Sequence, residues 1–123
     1  MVHDAGAREL LVVGTEVDAS GGVVTDNLVL TLDPDTLART DERAILPGTY
    51  VTDLAFTGSD LLALVGDAVV AVNGEDPGRA MSTTTLKGFG DGFVSGIAVD
   101  GTVLRVLVNR SNYADLYATT QVP

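Results

Sequence analysis

The sequence predicts an all-β fold, and two observations support this class. The first is a repeat: Tyr50–Val65, YVTDLAFTGSDLLALV, recurs without a gap as Phe93–Val108, FVSGIAVDGTVLRVLV. The matching residues share one offset of 43 residues, as from Val51 to Val94. The second is that the longest apolar runs, such as Leu61–Val65, have the length of a strand, and no helical period extends over a long segment.

The repeat length indicates how the strands are grouped. Repeats of about 40 to 50 residues are typical of propellers, in which each blade is a four-stranded antiparallel sheet. We predict a propeller-like single domain over 1–123, with about 2.5–3 blades forming an incomplete ring. A partial blade spans 1–49, a full blade 50–92 and a partial blade 93–123. A closed β-sandwich is the alternative.

We name the four strands of a blade A to D, from the inside of the ring outwards. The first partial blade, 1–49, is predicted to supply strands B, C and D. A strand is expected to begin at Leu10 and another to cover Leu28–Leu32, with the loop Asp18–Gly22 between them. Asp33–Thr36, DPDT, has turn chemistry, since Pro fixes φ and Asp accepts hydrogen bonds from the turn backbone. The charged segment Leu37–Leu46 is predicted as an edge strand, with a short helix as the alternative.

The full blade, 50–92, is predicted to supply strands A to D, and the last partial blade, 93–123, strands A to C. Strand A of the first blade and strand D of the last blade are therefore predicted to be missing or reduced to tails. Gly66-Asp67 is typical of a tight hairpin turn. Gly88–Gly92 is a glycine-rich connector, which we attribute to unusual φ angles. The strands predicted in these two units are Val51–Phe56, Leu61–Val65, Ala68–Val72, Met81–Leu86, Phe93–Val99, Thr102–Val108 and Tyr113–Thr120.

Two segments resemble known propeller blades. These are VTDLAFTGSDLLALVGDAVVAVNGEDPG, from Val51, and NLVLTLDPDTLART, from Asn27. They are similar to blades of the broad group that includes YVTN-type, NHL-type and gluconolactonase-like repeats. In that group strand A often ends in an apolar-Ala-apolar-x-Gly phrase, and strand C often runs into an Asp-Pro-x-Thr-type turn. The resemblance implies a fold but no single function, since such propellers serve as enzymes, lectins and protein-binding platforms.

The composition argues against two classes of partner. Seventeen acidic residues against seven Lys and Arg give a formal charge of −10, so we expect neither nucleic-acid nor membrane binding. The absence of cysteine excludes disulfides, thiolate nucleophiles and Cys-ligated metals. The N-terminus has no signal-peptide pattern. We therefore expect a cytoplasmic protein if the chain is full length, and an extracellular one is compatible with a trimmed chain.

Catalytic motifs are scarce. The single histidine, His3, lies in an N-terminal segment that we interpret as a loose end or a partial first strand. The acidic pairs Asp33/Asp35 and Glu75/Asp76 would suit Ca²⁺, but neither stretch has the EF-hand pattern, and we favour turn formation as their role. We therefore predict a non-catalytic protein without a cofactor, Ca²⁺ being the one candidate. The alternative is a fragment or subunit of a larger propeller hydrolase, lactonase-like, or of a propeller lectin.

Candidate binding residues come from propeller geometry. The connectors from strand D to strand A and the loops from B to C gather at one end of a propeller, and Asp53 on an innermost strand would face its channel. Tyr50 and Phe93, at equivalent repeat positions, have packing between blades as the alternative role. The predicted ligand-binding residues are Tyr50, Asp53, Asp67, Phe93, Arg110, Asn112 and Tyr113.

An incomplete ring predicts a partner. An arc of three blades leaves two large apolar faces uncovered, which soluble monomers rarely tolerate. We therefore expect a homo-oligomer or a completing protein chain, with strand exchange at the seams as one route. The predicted function is a non-catalytic binding or assembly module, or scaffold.

Overall fold

A computed structural model of the chain describes residues 2–4, 9–46, 49–57, 60–73, 79–87 and 92–118. The regular structure in these segments is entirely β-strand. The described segments contain no helix that is long and apolar enough to cross a membrane.

The strands form three separate antiparallel sheets, each a meander in which neighbours along the chain are neighbours in the sheet. The first sheet contains β1 (Val2–Asp4), β2 (Glu9–Val17), β3 (Val23–Leu32) and β4 (Arg39–Ala44). The second contains β5 (Asp53–Phe56), β6 (Asp60–Val65), β7 (Ala68–Asn73) and β8 (Ala80–Thr85). The third contains β9 (Phe93–Asp100), β10 (Val103–Asn109) and β11 (Ala114–Ala118). Each sheet is one blade, and the arc does not close.

The prediction of an all-β, propeller-like, incomplete ring is therefore confirmed, and the two-sheet sandwich is not formed. The segment Leu37–Leu46 contains the edge strand β4, so the helical alternative for it is wrong. The first strand A exists as the three-residue strand β1, paired with β2. The expectation about the last strand D falls on residues 119–123, which lie outside the described part of the chain.

The predicted turns form through the residues that suggested them. Gly66 and Gly101 have φ of +61° and +63°, each at the first position of a two-residue hairpin turn, where glycine adopts a positive φ without strain. Asp33 accepts hydrogen bonds through Oδ1 from the backbone N–H groups of Asp35 and Thr36, at 2.8 and 3.1 Å. This turn leads into β4, whose charges are paired on the strand: Arg39 with Glu42 at 3.1 Å and Arg43 with Asp41 at 3.2 Å.

The central strands of the second sheet, β6 and β7, are buried on both faces, and this arrangement divides the core into two clusters. One face packs on the first sheet and the other on the third. The cluster between the first and second sheets contains Leu11, Val29, Ile45, Leu46, Val51, Leu54, Leu61, Ala63, Val70 and Val72. The cluster between the second and third contains Ala55, Leu62, Leu64, Val69, Ala71, Val94, Ile97, Leu104, Val106 and Val108. Successive side chains of β6 and β7 therefore enter different cores, as the twofold period of a strand requires.

A buried asparagine joins the first sheet to the second. Asn27 lies at a β-bulge in β3 and has a φ of +45°, a conformation that asparagine tolerates better than most residues. Its side chain is only 2% exposed; Oδ1 accepts a hydrogen bond from the N–H of Val51 at 3.1 Å, and Nδ2 donates to the carbonyl of Thr49. Its own carbonyl accepts from the N–H of Ile45 at 3.0 Å. One residue thus fixes both ends of the connector that enters β5.

Replacing Asn27 by Ala is expected to lower the free energy of unfolding by about 2–4 kcal/mol, because it leaves the buried N–H of Val51 and the part-buried carbonyl of Thr49 without the Asn27 side chain and places Ala at a positive φ. Chemical denaturation measures this. The control is Asn27→Gly, which removes the same hydrogen bonds but relieves the backbone strain, so it isolates the hydrogen-bond part. A loss below about 0.5 kcal/mol for Asn27→Ala would show that the anchor contributes little.

Candidate binding surfaces

The antiparallel topology brings most of the predicted site residues to one end of the sheets. In each meander, the turn after the second strand lies at the end where the first strand begins, because neighbouring strands run in opposite directions. We call this end the connector end. It is formed by the β2–β3 loop 18–22, the segment 49–52 before β5, the turn 66–67, Gly92 and Phe93 at the start of β9, and the β10–β11 turn 110–113.

Three aromatic side chains at the connector end are largely exposed. Tyr50 is 73% exposed, Phe93 65% and Tyr113 63%. Tyr50 and Phe93 therefore do not fill the space between blades, which was the structural alternative for this repeat-equivalent pair. Tyr50 also lines a cavity of about 200 Å³, whose other lining residues are Val13, Gly14, Val51 and Thr52.

Arg110 is held by its own blade. Its Nε donates to Oδ2 of Asp115 at 2.9 Å, and its Nη2 donates to the hydroxyl of Tyr117 at 2.9 Å. The Asp115 hydrogen bond raises the pKa of Arg110 above its ordinary value, so the guanidinium stays protonated. Only 16% of the Arg110 side chain is exposed. Arg110 therefore shapes the β10–β11 turn, whereas Asn112 and Tyr113 of that turn are exposed.

Gly92 is a glycine because of close contacts. A Cβ atom there would lie 2.5 Å from Val108 Cγ1 and 3.0 Å from Arg110 Nη1. Its φ is not in the positive region, so the attribution of the connector glycines to unusual φ angles is wrong for Gly92; Gly88–Asp91 lie outside the described residues. The absent side chain makes room for Arg110 beside the start of β9.

Asp53 binds two neighbouring blades together. Its Oδ1 accepts from the N–H of Leu54 at 2.9 Å, and its Oδ2 accepts from the N–H of Ile97 in the third sheet at 2.9 Å. A Cβ atom at Gly96, the repeat equivalent of Asp53, would lie 3.3 Å from that Oδ2. The small residue in one repeat thus admits the carboxylate of the other. Asp53 occupies an innermost strand as predicted, and both of its carboxylate oxygens accept backbone hydrogen bonds.

Asp67 and the two acidic pairs are the remaining residues for which the sequence predicts a role. Asp67 is exposed in the β6–β7 turn, and its carbonyl accepts a hydrogen bond from the N–H of Leu86 at 2.7 Å. Asp33 and Asp35 belong to the turn described above, while Glu75 and Asp76 lie outside the described residues. Over the described segments, no group of three or more His, Cys, Asp or Glu side chains is placed to hold a metal ion.

A second candidate surface is the outer face of the third sheet, which nothing in the described chain covers. Leu107 and Leu116, cross-strand partners in β10 and β11, point out of the arc and are 39% and 63% exposed. Their counterparts in the second sheet, Leu64 and Val69, are also cross-strand partners and are 0% and 1% exposed, because the third sheet covers them. The same position is therefore buried or exposed according to whether a further blade follows.

The outer face of the first sheet also lies outside both core clusters, although its aliphatic side chains are less exposed than Leu107 and Leu116. Along β2, Leu11 and Val13 pack into the core toward the second sheet, so Leu10 and Val12 face outwards. None of the outward-facing aliphatic residues of this sheet belongs to either core cluster. They are Leu10, Val12, Leu28, Leu30 and Leu32, of which Leu28 is buried and the other four are partly exposed. We call these two surfaces, on the first and third sheets, the first and third end faces.

Comparisons with known proteins add one structural likeness. No protein-family model matches the sequence, and no curated protein is significantly similar to it. Among solved structures, the chain is similar to the crystal structure of the Myceliophteria thermophila Cps50 (Swd1) beta-propeller domain, at 14% sequence identity and a TM-score of 0.43. The match covers 100% of this chain and 41% of that chain. The fold assignment here stands on the topology and packing of the three sheets themselves.

Some of the residues that build these surfaces are not singled out by sequence patterns. Asn27 reads as an ordinary polar residue before an apolar strand, and Gly92 as one of several connector glycines. Leu116 is only one apolar residue in a strand of mixed character. The sequence does point to Gly96, because in the alignment of the two repeats it occupies the position of Asp53.

Replacing Asp53 by Ala is expected to cost about 1–2 kcal/mol of stability, because the N–H of Ile97 loses its acceptor across the blade junction. Amide hydrogen exchange gives a residue-specific measurement: Ile97 should exchange faster in the variant. The matched control is Asp67→Ala, which removes an exposed carboxylate of the same sheet and is expected to change stability by less than about 0.5 kcal/mol. Unchanged exchange at Ile97 would contradict the bridging role.

Proposed function

We propose that this chain is a non-catalytic binding or assembly module, built of propeller blades and completed by self-association or by a partner chain. One observation carries the proposal: positions that are fully buried in the middle blade are exposed in the third. Leu116 is 63% exposed where Val69 is 1% exposed, and Leu107 is 39% exposed where Leu64 is 0% exposed.

Fully burying a leucine side chain is worth about 1.5–3 kcal/mol, so covering an end face with another blade is favourable. Contiguous exposed apolar patches on soluble proteins generally mark interaction surfaces. The membership of the blades in the YVTN, NHL or gluconolactonase-like group stays a prediction from the resemblance, and the expected lack of a cofactor stays a prediction from the sequence motifs.

The proposal is tested by the mass of the chain in solution. We expect light scattering and sedimentation to show association at micromolar concentration, and Leu116→Glu to weaken it at least about tenfold because a charge would be buried in the contact. The matched control is Leu37→Glu, which changes a leucine that is 62% exposed in the β3–β4 loop, away from both end faces. A wild-type chain that stays monomeric and melts cooperatively would show that it needs no completion.

A second candidate function, ligand recognition of the lectin type, is favoured by the exposure of Tyr50, Phe93 and Tyr113 at the connector end. Exposed aromatic side chains beside polar loop residues are common recognition material. This end lies at right angles to the end faces, so both functions are compatible with one molecule.

Glycan-array binding tests the second candidate. We expect a binding glycan to lose affinity about tenfold in Tyr50→Ala and in Phe93→Ala, while Met81→Ala, a change at a residue that is 56% exposed on β8, leaves it unchanged. A thermal-shift measurement with calcium separates the metal-dependent alternatives, since stabilisation by calcium would favour a metal-dependent lectin or hydrolase. Equal binding by all three variants would remove the connector end from consideration.

A further inference from the structure

We propose that the completing partner is a second copy of this chain, joined head to tail. The third end face of one copy packs on the first end face of the other, and a twofold axis repeats the contact to close a ring. This inference rests on the proposed function, because it specifies what covers the end faces.

The first step is that every sheet uses its two faces in a fixed sense. In the second sheet, Leu61 packs toward the first sheet, and its repeat equivalent Leu104 in the third sheet packs toward the second. In the other direction, Leu64 of the second sheet packs toward the third, and its repeat equivalent Leu107 points out of the arc. Each blade therefore has one face for the preceding blade and a different face for the following one.

The arc has one end face of each of these two kinds. The third end face, with Leu107 and Leu116, is the kind that receives a following blade. The first end face, with Leu10 and Val12, is the kind that packs on a preceding blade, as Leu61 and Ala63 do in the second sheet. Inside the chain these two kinds meet each other at both junctions, and two faces of one kind never meet. A head-to-tail contact continues this interface, whereas a contact between two third end faces does not.

The third step is that two charged side chains described on the end faces have partners within the chain. The side chain of Arg105 lies on the third end face, where the second sheet has Leu62, and it pairs with Asp100 at 3.2 Å. On the first end face, Glu42 stands opposite Leu30 and pairs with Arg39 at 3.1 Å. Pairing of these charges within each copy lowers the cost of bringing the faces together.

The fourth step is closure. Two copies of a three-bladed arc supply six blades, which is within the range of about four to eight found in closed propellers. A twofold axis forms both seams with a single operation, so no end face is left over.

The test uses two variants, each damaged on one end face: Leu116→Glu on the third and Val12→Glu on the first. In a head-to-tail ring every seam contains one first end face and one third end face. A homodimer of either variant therefore has one substituted face in each of its two seams. In a heterodimer of the two variants, one seam contains both substituted faces and the other seam contains two wild-type faces. We expect each variant alone to dimerise at least about tenfold more weakly than wild type. We expect the mixture to form a heterodimer of intermediate affinity, measured by native mass spectrometry and sedimentation.

Circular dichroism and thermal melting establish that each variant is folded, and Leu10→Glu replaces Val12→Glu if the latter fails to fold. Recovery of a heterodimer from the mixture supports head-to-tail pairing. Weakening by Leu116→Glu alone, with no effect of the first-face variant and no recovery on mixing, would mean that third end faces pair with each other and would overturn the inference while leaving the proposed association intact. Growth into long filaments would overturn closure. A monomeric wild-type chain would overturn the proposed function as well.

Discussion

The structure depends on one physical constraint, the burial of the central strands of the middle sheet, β6 and β7, on both faces. A strand sends alternate side chains to opposite faces, so a strand with a continuous apolar run needs a cover on each face of its sheet. In β6 the run Leu61–Leu64 is buried throughout, and in β7 the same holds for Val69–Val72. The first and third sheets supply those covers. Among the described residues, each of these two sheets packs against another sheet on one face only. The need to cover apolar side chains therefore remains at the two ends of the arc.

Polar contacts fix how the sheets are placed relative to one another. Asn27 attaches the connector before β5 to the first sheet, and the carboxylate of Asp53 attaches the second sheet to the backbone of the third. Apolar packing between sheets is tolerant of small displacements, whereas a hydrogen bond to a particular backbone N–H is directional. These hydrogen bonds fix which backbone groups of neighbouring sheets lie beside each other at the two junctions.

The fold was predictable from the sequence because its signals are local. The apolar strands and the Asp33 and Gly66 turns each depend on residues close together in the chain, and the repeat of Tyr50–Val65 as Phe93–Val108 is visible in the sequence without knowledge of any contact. Part of the connector end was predictable too, since topology alone brings Tyr50 and Phe93 there. What the sequence could not show depends on contacts between residues of different strands: the bulge at Asn27, the lack of space at Gly92 and the pairing of Arg110 within its own blade. No local pattern distinguishes these residues from ordinary loop residues.

The meander topology also has a consequence for the order of events during folding. Because each strand pairs with its neighbours in sequence, each sheet closes through short loops, and the entropy lost in forming it is modest. The contacts between blades join more distant parts of the chain, as Asp53 and Ile97 do, and are expected to form later. Folding then resembles the growth of a one-dimensional array, in which a completed blade acts as the template for the next. In such an array the end blades, with one stabilising neighbour instead of two, are the first to open.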